Sequence, residues 1–285
     1  MIGLGMWSWR QTAFNTIETR RKLLAFCAQE GIAHVDQHVD INEEGKVHSV
    51  QNADSLRTLI IEAAKQSVTV SALRGASHML LERNHDRALL DLRAIIEFDK
   101  LLPSSAYLTG VKYDVEPHGT KEWQAGGKQR EKVILDYLSF LKIAKPLLNK
   151  EAPHLELSVD VPFWWDRPEF RVYFNDSNKL LVHHVQDLTD YIGVMSYRTK
   201  ARQVIDLVEQ EMAYAKKIGK TICLGLETAN IKGNESSISF WSHNPALFRK
   251  SVEELKEVLS GNNVVRLIML HHYSSLVEYL GITPN

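Results

Sequence analysis

Cysteine is scarce. Cys27 and Cys223 are the only two in 285 residues, and neither belongs to a CxxC pair. That excludes a disulfide-dense scaffold and a zinc site of the paired-cysteine type, and both thiols are expected in the core. Long apolar runs are missing too: no stretch of about 18 uninterrupted hydrophobic residues occurs, the minimum for a helix across a bilayer. Neither sign of charge dominates, because 34 Lys and Arg stand against 35 Asp and Glu, for a net charge of −1. A surface so balanced offers no electrostatic basis for holding nucleic acid or an anionic membrane. The first eleven residues lack the basic stretch, apolar core and small-residue cleavage site of an export signal. As written the chain reads as cytoplasmic, but a trimmed signal would leave the same start, so an exported location stays open. Low-complexity tracts, short repeats and Pro/Gly/Ser linkers are absent, and one domain over residues 1–285 is expected.

What is present is an alternation of short β-rich runs with longer amphipathic ones. The strand candidates are Ile2–Trp7, Ala33–Val39, Val68–Leu73, Leu108–Glu116, Leu155–Val161, Tyr191–Tyr197, Thr221–Glu227 and Arg266–Tyr273. The helix candidates between them are Thr16–Glu30, Ala53–Gln66, Asp86–Leu101, Lys128–Leu148, Leu180–Leu188, Arg202–Ile218 and Ala246–Leu259. Val204, Leu207, Val208, Met212 and Ala215 recur at helical steps. Gly31 and Gly219 follow helices where a left-handed cap is expected, and Asn244-Pro245 reads as a helix start. Eight strand–helix units are what a closed (β/α)8 barrel needs. An open doubly wound sheet often carries a Gly-rich phosphate loop after its first strand. Here Trp7-Ser8-Trp9-Arg10 stands there instead, and the barrel is the expected fold.

Catalytic groups of such barrels lie at the C-terminal ends of the strands. Those ends carry Trp7 and Trp9, Asp36 to Asp40, Arg74, Asp114 and Glu116, Asp160 with Trp164 and Trp165, Tyr197 and Arg198, Glu227, and His271 to Tyr273. Acids set among aromatic rings suit a carbohydrate, whose faces stack on rings while acids act on the glycosidic bond. Strand alternation would put Asp114 and Glu116 on one side, about 6.5–7 Å apart. Two close carboxyls push their pKa values apart, which lets one remain protonated as a general acid. The plainer reading pairs both with Lys112, Arg198 or Arg74 in an ion network.

The segment Thr109-Gly110-Val111-Lys112-Tyr113-Asp114-Val115-Glu116 resembles the D-G-x-D-x-D-x-E strand of glycoside hydrolase family 18, the chitinases and their relatives. Asp190-Tyr191-Ile192-Gly193-Val194-Met195-Ser196-Tyr197 is similar to that family's sixth strand, with its Met-x-Tyr, and Lys220–Leu226 to its seventh. Ser71 and Met269 fall in comparable places, and the likeness runs over about residues 68–275 in order. It implies a retaining hydrolysis of a β-linked N-acetylated sugar, assisted by the substrate's own acetamido group, without a protein nucleophile or a cofactor. Glu116 would protonate the leaving oxygen, while Asp114 and Tyr197 would hold and polarise the acetamido group. The pattern departs at Thr109 and Lys112, where the family has acids, at Arg198, where it has Asp, and at His271-His272, where it has Trp. A lysine beside Asp114 is expected to favour its ionised form.

The remaining mouth residues are assigned to the sugar: Trp7, Trp9, Arg74, Trp164, Arg198, Glu227, His271 and Tyr273. Trp164 and Trp165 are adjacent in sequence, so only one is expected to line the cleft. Trp123, Phe240 and Trp241 compete as substrate contacts or packed corners. A second class of function rests on His34, Asp36, His38 and Asp40, which alternation sends to one side. Such a cluster at a barrel mouth suits a metal-dependent hydrolase or phosphodiesterase, although neither an HxH nor an HExxH motif is present. A third reading keeps the stacking aromatics in a glycan-binding barrel without catalysis.

Overall fold

A computed structural model describes residues 2–231 and 236–282. Eight strands form its centre: β1 Gly3–Ser8, β2 Ile32–His38, β3 Thr69–Arg74, β4 Leu108–Tyr113, β5 Glu156–Pro162, β6 Tyr191–Met195, β7 Thr221–Glu227 and β8 Val265–His271. They pair in parallel in chain order, and β1 bonds to both β2 and β8, so the sheet closes on itself. The molecule is a (β/α)8 barrel. Residues of β7 after Thr221 are all buried, as expected of a parallel strand covered on both faces.

The helices sit where the periodicity places them, and their ends follow from local chemistry. Thr16 and Thr19 cap the helix Ile17–Glu30 reciprocally, and Gly31 closes it at φ 67°. Gly219 closes Glu209–Ile218 in the same left-handed conformation. The Asn244 side chain accepts from the Ala246 N–H ahead of the helix Pro245–Val258, with Pro245 in its first turn. The run expected as one helix from Arg202 is broken at Val208, which leaves helical geometry between Ala201–Leu207 and Glu209–Ile218. Two hairpins, Ile41–Glu44 with Val47–Val50 and Arg171–Phe174 with Ser177–Leu180, arise in segments the sequence leaves as loops. The second turns through Asn175 and Asp176, both at positive φ, the conformation tight hairpins demand. Among the described residues no helix is long and apolar enough to cross a membrane.

Two strand ends differ from expectation, and both concern the site. β4 stops at Tyr113 and β6 at Met195, so Asp114, Glu116 and Tyr197 lie in the loops just beyond. Pro117 explains the first: its ring disfavours helical backbone at Glu116 and offers no N–H to a ladder. Glu116 sits at φ −100°, ψ 77° before a short turn. Asp114 is still fixed by one ladder-like bond, its N–H donating to Arg74 O at 2.8 Å. The separation inferred from strand alternation therefore does not apply to this pair.

Candidate active site

The barrel interior is unusual for its charge. The expected filling of such a barrel is layered apolar side chains, and Trp7, Leu73, Tyr191, Cys223 and Met269 do form a small inner cluster. Beside them lie Lys112, Asp36 and Asp160, each at most 1% exposed. Lys112 Nζ pairs with Asp36 Oδ2 at 2.8 Å and Asp160 Oδ1 at 3.3 Å. The other oxygens are held as well: His34 Nε2 meets Asp36 Oδ1 at 2.9 Å, and the Trp7 indole donates to Asp160 Oδ2 at 2.7 Å. Space for this layer depends on Gly193, where a methyl group would collide with Asp160 Oδ1. Burial alone would raise the Asp36 carboxyl, but Lys112 and then His34 overcome it and hold it down at about 2. For Asp160 burial prevails over Lys112, and the carboxyl is pushed up to about 6.

Above this layer lie Asp114, Glu116 and Tyr197, near enough for the charges of Asp114 and Glu116 to act on the Tyr197 phenol. Asp114 keeps its proton well above the usual carboxylate range, first because it is buried, then because Asp160 and Glu116 add negative charge, with Lys112 opposing. Lys112 does favour the ionised form, as expected, but burial and the negative charge of Asp160 and Glu116 outweigh it. One Asp114 oxygen, Oδ1, is buried without a partner. The Tyr197 phenol is likewise held protonated, by burial and then by Glu227, Asp114, Asp160 and Glu116. Glu116 is different. Its side chain is 46% exposed, with one carboxylate oxygen 3.9 Å from His118 Nε2. Burial lowers the His118 imidazole, opposed by Glu116. That ring meets Trp164 edge-on at 5.2 Å, which places Trp164, half-buried, beside the exposed acid. Trp165 is fully buried and stacks on Trp123 at 6.0 Å, so of the adjacent pair only Trp164 keeps some exposure. His118 is a residue the sequence reading missed, although it lies two positions past Glu116 in the same loop.

The opposite wall is a chain of rings. The Trp9 indole donates to His271 Nε2 at 3.1 Å. An indole N–H only donates, so His271 carries its proton on Nδ1 and gives it to Glu227 Oε2 at 2.9 Å. Glu227 Oε1 accepts the Ala229 N–H at 2.7 Å. Both oxygens of Glu227 are thus engaged and the residue is 3% exposed, so it orients His271 rather than reaching a sugar hydroxyl. Tyr197 leans on the same imidazole at 5.9 Å. Arg198 bonds to the Tyr197 carbonyl at 2.7 Å and lies over Phe163 at 5.3 Å.

Three expected sugar contacts lie elsewhere. Trp7 is 1% exposed and belongs to the buried layer. Tyr273 begins the helix Tyr273–Tyr279 and packs on Phe26 at 5.5 Å, in the helix layer. Arg74 donates to Val39 O and to Asp91 Oδ2, both at 2.6 Å, beside the mouth rather than in it. Trp123 and Phe240 are buried, whereas Trp241 is half-buried. The cluster His34, Asp36, His38 and Asp40 does not converge. His34 bonds to Thr69 and Asp36, and Asp36 holds Lys112, while His38 and Asp40 pair with each other at 3.0 Å. Among the described residues no three His, Cys, Asp or Glu side chains are placed to hold a metal ion.

No family model matches the chain, and no curated protein matches it. Solved structures share its fold. A chitinase from Bacteroides thetaiotaomicron is 12% identical with TM-score 0.57, over 96% of this chain and 90% of that one. The spore cortex-lytic enzyme SleL of Bacillus cereus is 11% identical with TM-score 0.58, over 100% and 75%. A calcium-binding mutant of β-glucuronidase 2 from Bacteroides uniformis is 11% identical with TM-score 0.64, over 96% of this chain but 31% of that one. This chain therefore spans less than a third of the glucuronidase. At such identities the likeness is one of fold, a barrel shared with glycoside hydrolases.

Proposed function

We propose that the chain is a glycosidase that cleaves a β-linked N-acetylated sugar with the help of the substrate's acetamido group. The carrying observation is the placement just past two strand ends of a part-buried Asp114, whose Oδ1 has no partner, a half-exposed Glu116 and the part-buried Tyr197; burial and then the charges around Asp114 raise its carboxyl well above the usual range. Glu116 gives its proton to the glycosidic oxygen as that bond breaks. The acetamido carbonyl oxygen closes on the anomeric carbon, its N–H held by Asp114 and its carbonyl by the Tyr197 hydroxyl. Water then opens the ring so formed, with Glu116 taking the proton back, and configuration is retained. Trp9 and Trp164 supply ring faces on either side. The name of the chitinase that shares this fold agrees with the reading. Lys112, the main departure from the family 18 pattern, lies below the acids and leaves them intact.

A pair of aryl glycosides tests the reading. The purified protein should release nitrophenol from 4-nitrophenyl N-acetyl-β-glucosaminide and leave 4-nitrophenyl β-glucoside, which lacks the acetamido group, untouched. Equal rates on both would remove the substrate-assisted route.

A further inference from the structure

Trp9, half-buried and one residue past the end of β1, is anchored to β2 and β8. The carbonyls on either side of it, Ser8 O and Arg10 O, both accept from the Gln37 carboxamide, at 3.2 and 3.4 Å. Gln37 is fully buried, so the backbone that carries Trp9 is tied to β2. The indole N–H bonds to His271 at the end of β8. The benzo end of the ring lies by Gly75, just past β3, where a methyl group would come within 3.4 Å of it and strike the Asp114 carbonyl. The His38 imidazole stands beside the ring at 5.8 Å. An aromatic plate is thereby fixed next to the loop that carries Asp114 and Glu116.

The bond from Trp9 depends on where another residue keeps its proton. An indole N–H only donates, so His271 Nε2 has to be bare to receive it. Glu227 makes it so. Its Oε2 lies 2.9 Å from His271 Nδ1, and a carboxylate only accepts, which selects the tautomer with the proton on Nδ1. Glu227 is itself fixed, since β7 and β8 pair with Glu227 opposite His271 and its Oε1 accepts the Ala229 N–H at 2.7 Å. The backbone of His271 is pinned as well: its carbonyl accepts from the Thr228 N–H at 2.9 Å and the Thr228 hydroxyl at 2.7 Å. A proton moved to Nε2 would set two donors against each other and release the indole.

We propose that Glu227 and His271 are positioning residues: by keeping the imidazole proton on Nδ1 they fix the Trp9 ring, and through it the angle at which a sugar meets Asp114 and Glu116. That a sugar lies on Trp9 rests on the glycosidase reading; the tautomer and the held indole do not. NMR on the full chain labelled with nitrogen-15 reads both. The neutral His271 ring should carry its proton on Nδ1. The Trp9 indole N–H, identified by its loss in Trp9→Phe, should exchange with water at least tenfold more slowly than in His271→Leu, which keeps the bulk but offers no acceptor. Glu227→Gln, with one oxygen for two N–H groups, should also speed that exchange. His271→Gln, whose carboxamide oxygen reaches the place of Nε2, should restore slow exchange. Turnover of 4-nitrophenyl N-acetyl-β-glucosaminide then shows what the held ring does. His271→Leu should lower kcat/KM about tenfold or more, and His271→Gln should recover most of that loss. Added to Trp9→Phe, His271→Leu should cost less than twofold further. A proton on Nε2 in the parent, indole exchange indifferent to His271→Leu and Glu227→Gln, or an equal loss of turnover with and without the indole would each overturn the positioning role. The first is read on the parent and decides even where a variant does not fold. A parent inert on the aryl glycoside, but with the tautomer and slow exchange as described, sinks the hydrolase reading alone.

Discussion

Glu116→Gln should slow hydrolysis of aryl N-acetyl-β-glucosaminides by about 10²–10⁴-fold, the span that positioned general acids commonly contribute. The amide matches the acid in shape but has no proton to give the leaving oxygen. The side chain is about half in solvent and is a buried partner to nothing, so the exchange should leave thermal stability within about 0.5 kcal/mol. KM should hold while kcat falls, because what is lost acts in the transition state. The loss should also depend on the leaving group. A 2,4-dinitrophenolate departs with little protonation and should suffer least, whereas methylumbelliferyl and sugar leaving groups should suffer most. A uniform loss across leaving groups would mean that Glu116 binds rather than protonates.

Lys112→Met should cost the fold about 3–5 kcal/mol, the usual consequence of removing one partner from a buried charge pair. Two acids, Asp36 and Asp160, share that single ammonium, and neither can reach water. Methionine fills the space and leaves Asp160 with no cation and Asp36 with His34 alone. The double variant Lys112→Met with Asp36→Asn should recover part of the loss, since one carboxylate then disappears with the lysine. The pH dependence gives an independent reading. Asp36 titrates at about 2 in the folded protein against about 3.9 in an unfolded chain. A depressed folded value contributes stability above the unfolded pKa and loses it as pH falls. Urea midpoints of the parent should therefore drop between about pH 4 and pH 2, and Lys112→Met should lack that part of the slope. A variant as stable as the parent at pH 7 would show that the buried charges are not held as described.

The barrel was readable in the sequence because its signals are local. Apolar runs mark the strands, and Gly31, Gly219 and Asn244-Pro245 mark helix ends through backbone geometry that few other residues accept. The mouth was readable in outline, since a barrel puts its strand ends together whatever their side chains. Orientation was not. Trp7, Glu227 and Arg74 all stand at strand ends, yet their polar atoms turn to Asp160, His271 and Asp91. Partners more than 40 residues away, as for the first two, leave no mark on spacing. The same holds for Lys112: the pattern places it two residues before Asp114, but only the closed barrel carries Asp36 and Asp160 to it. His34 and Asp36 suggested a metal because alternation aligned them with His38 and Asp40; the lysine from β4 takes the place a cation would need. Tyr273 was misplaced because β8 ends at His271 and the chain turns at once into a helix.

The most direct test is proton NMR of the parent protein acting on a β-linked N-acetylglucosamine oligosaccharide, with the anomeric signals followed from the first minutes. A carboxyl at position 116 that protonates the bridging oxygen, with the acetamido group as internal nucleophile, predicts new reducing ends in the β form first, equilibrating later. Release of the α form first, or no new reducing ends at all, would contradict the account.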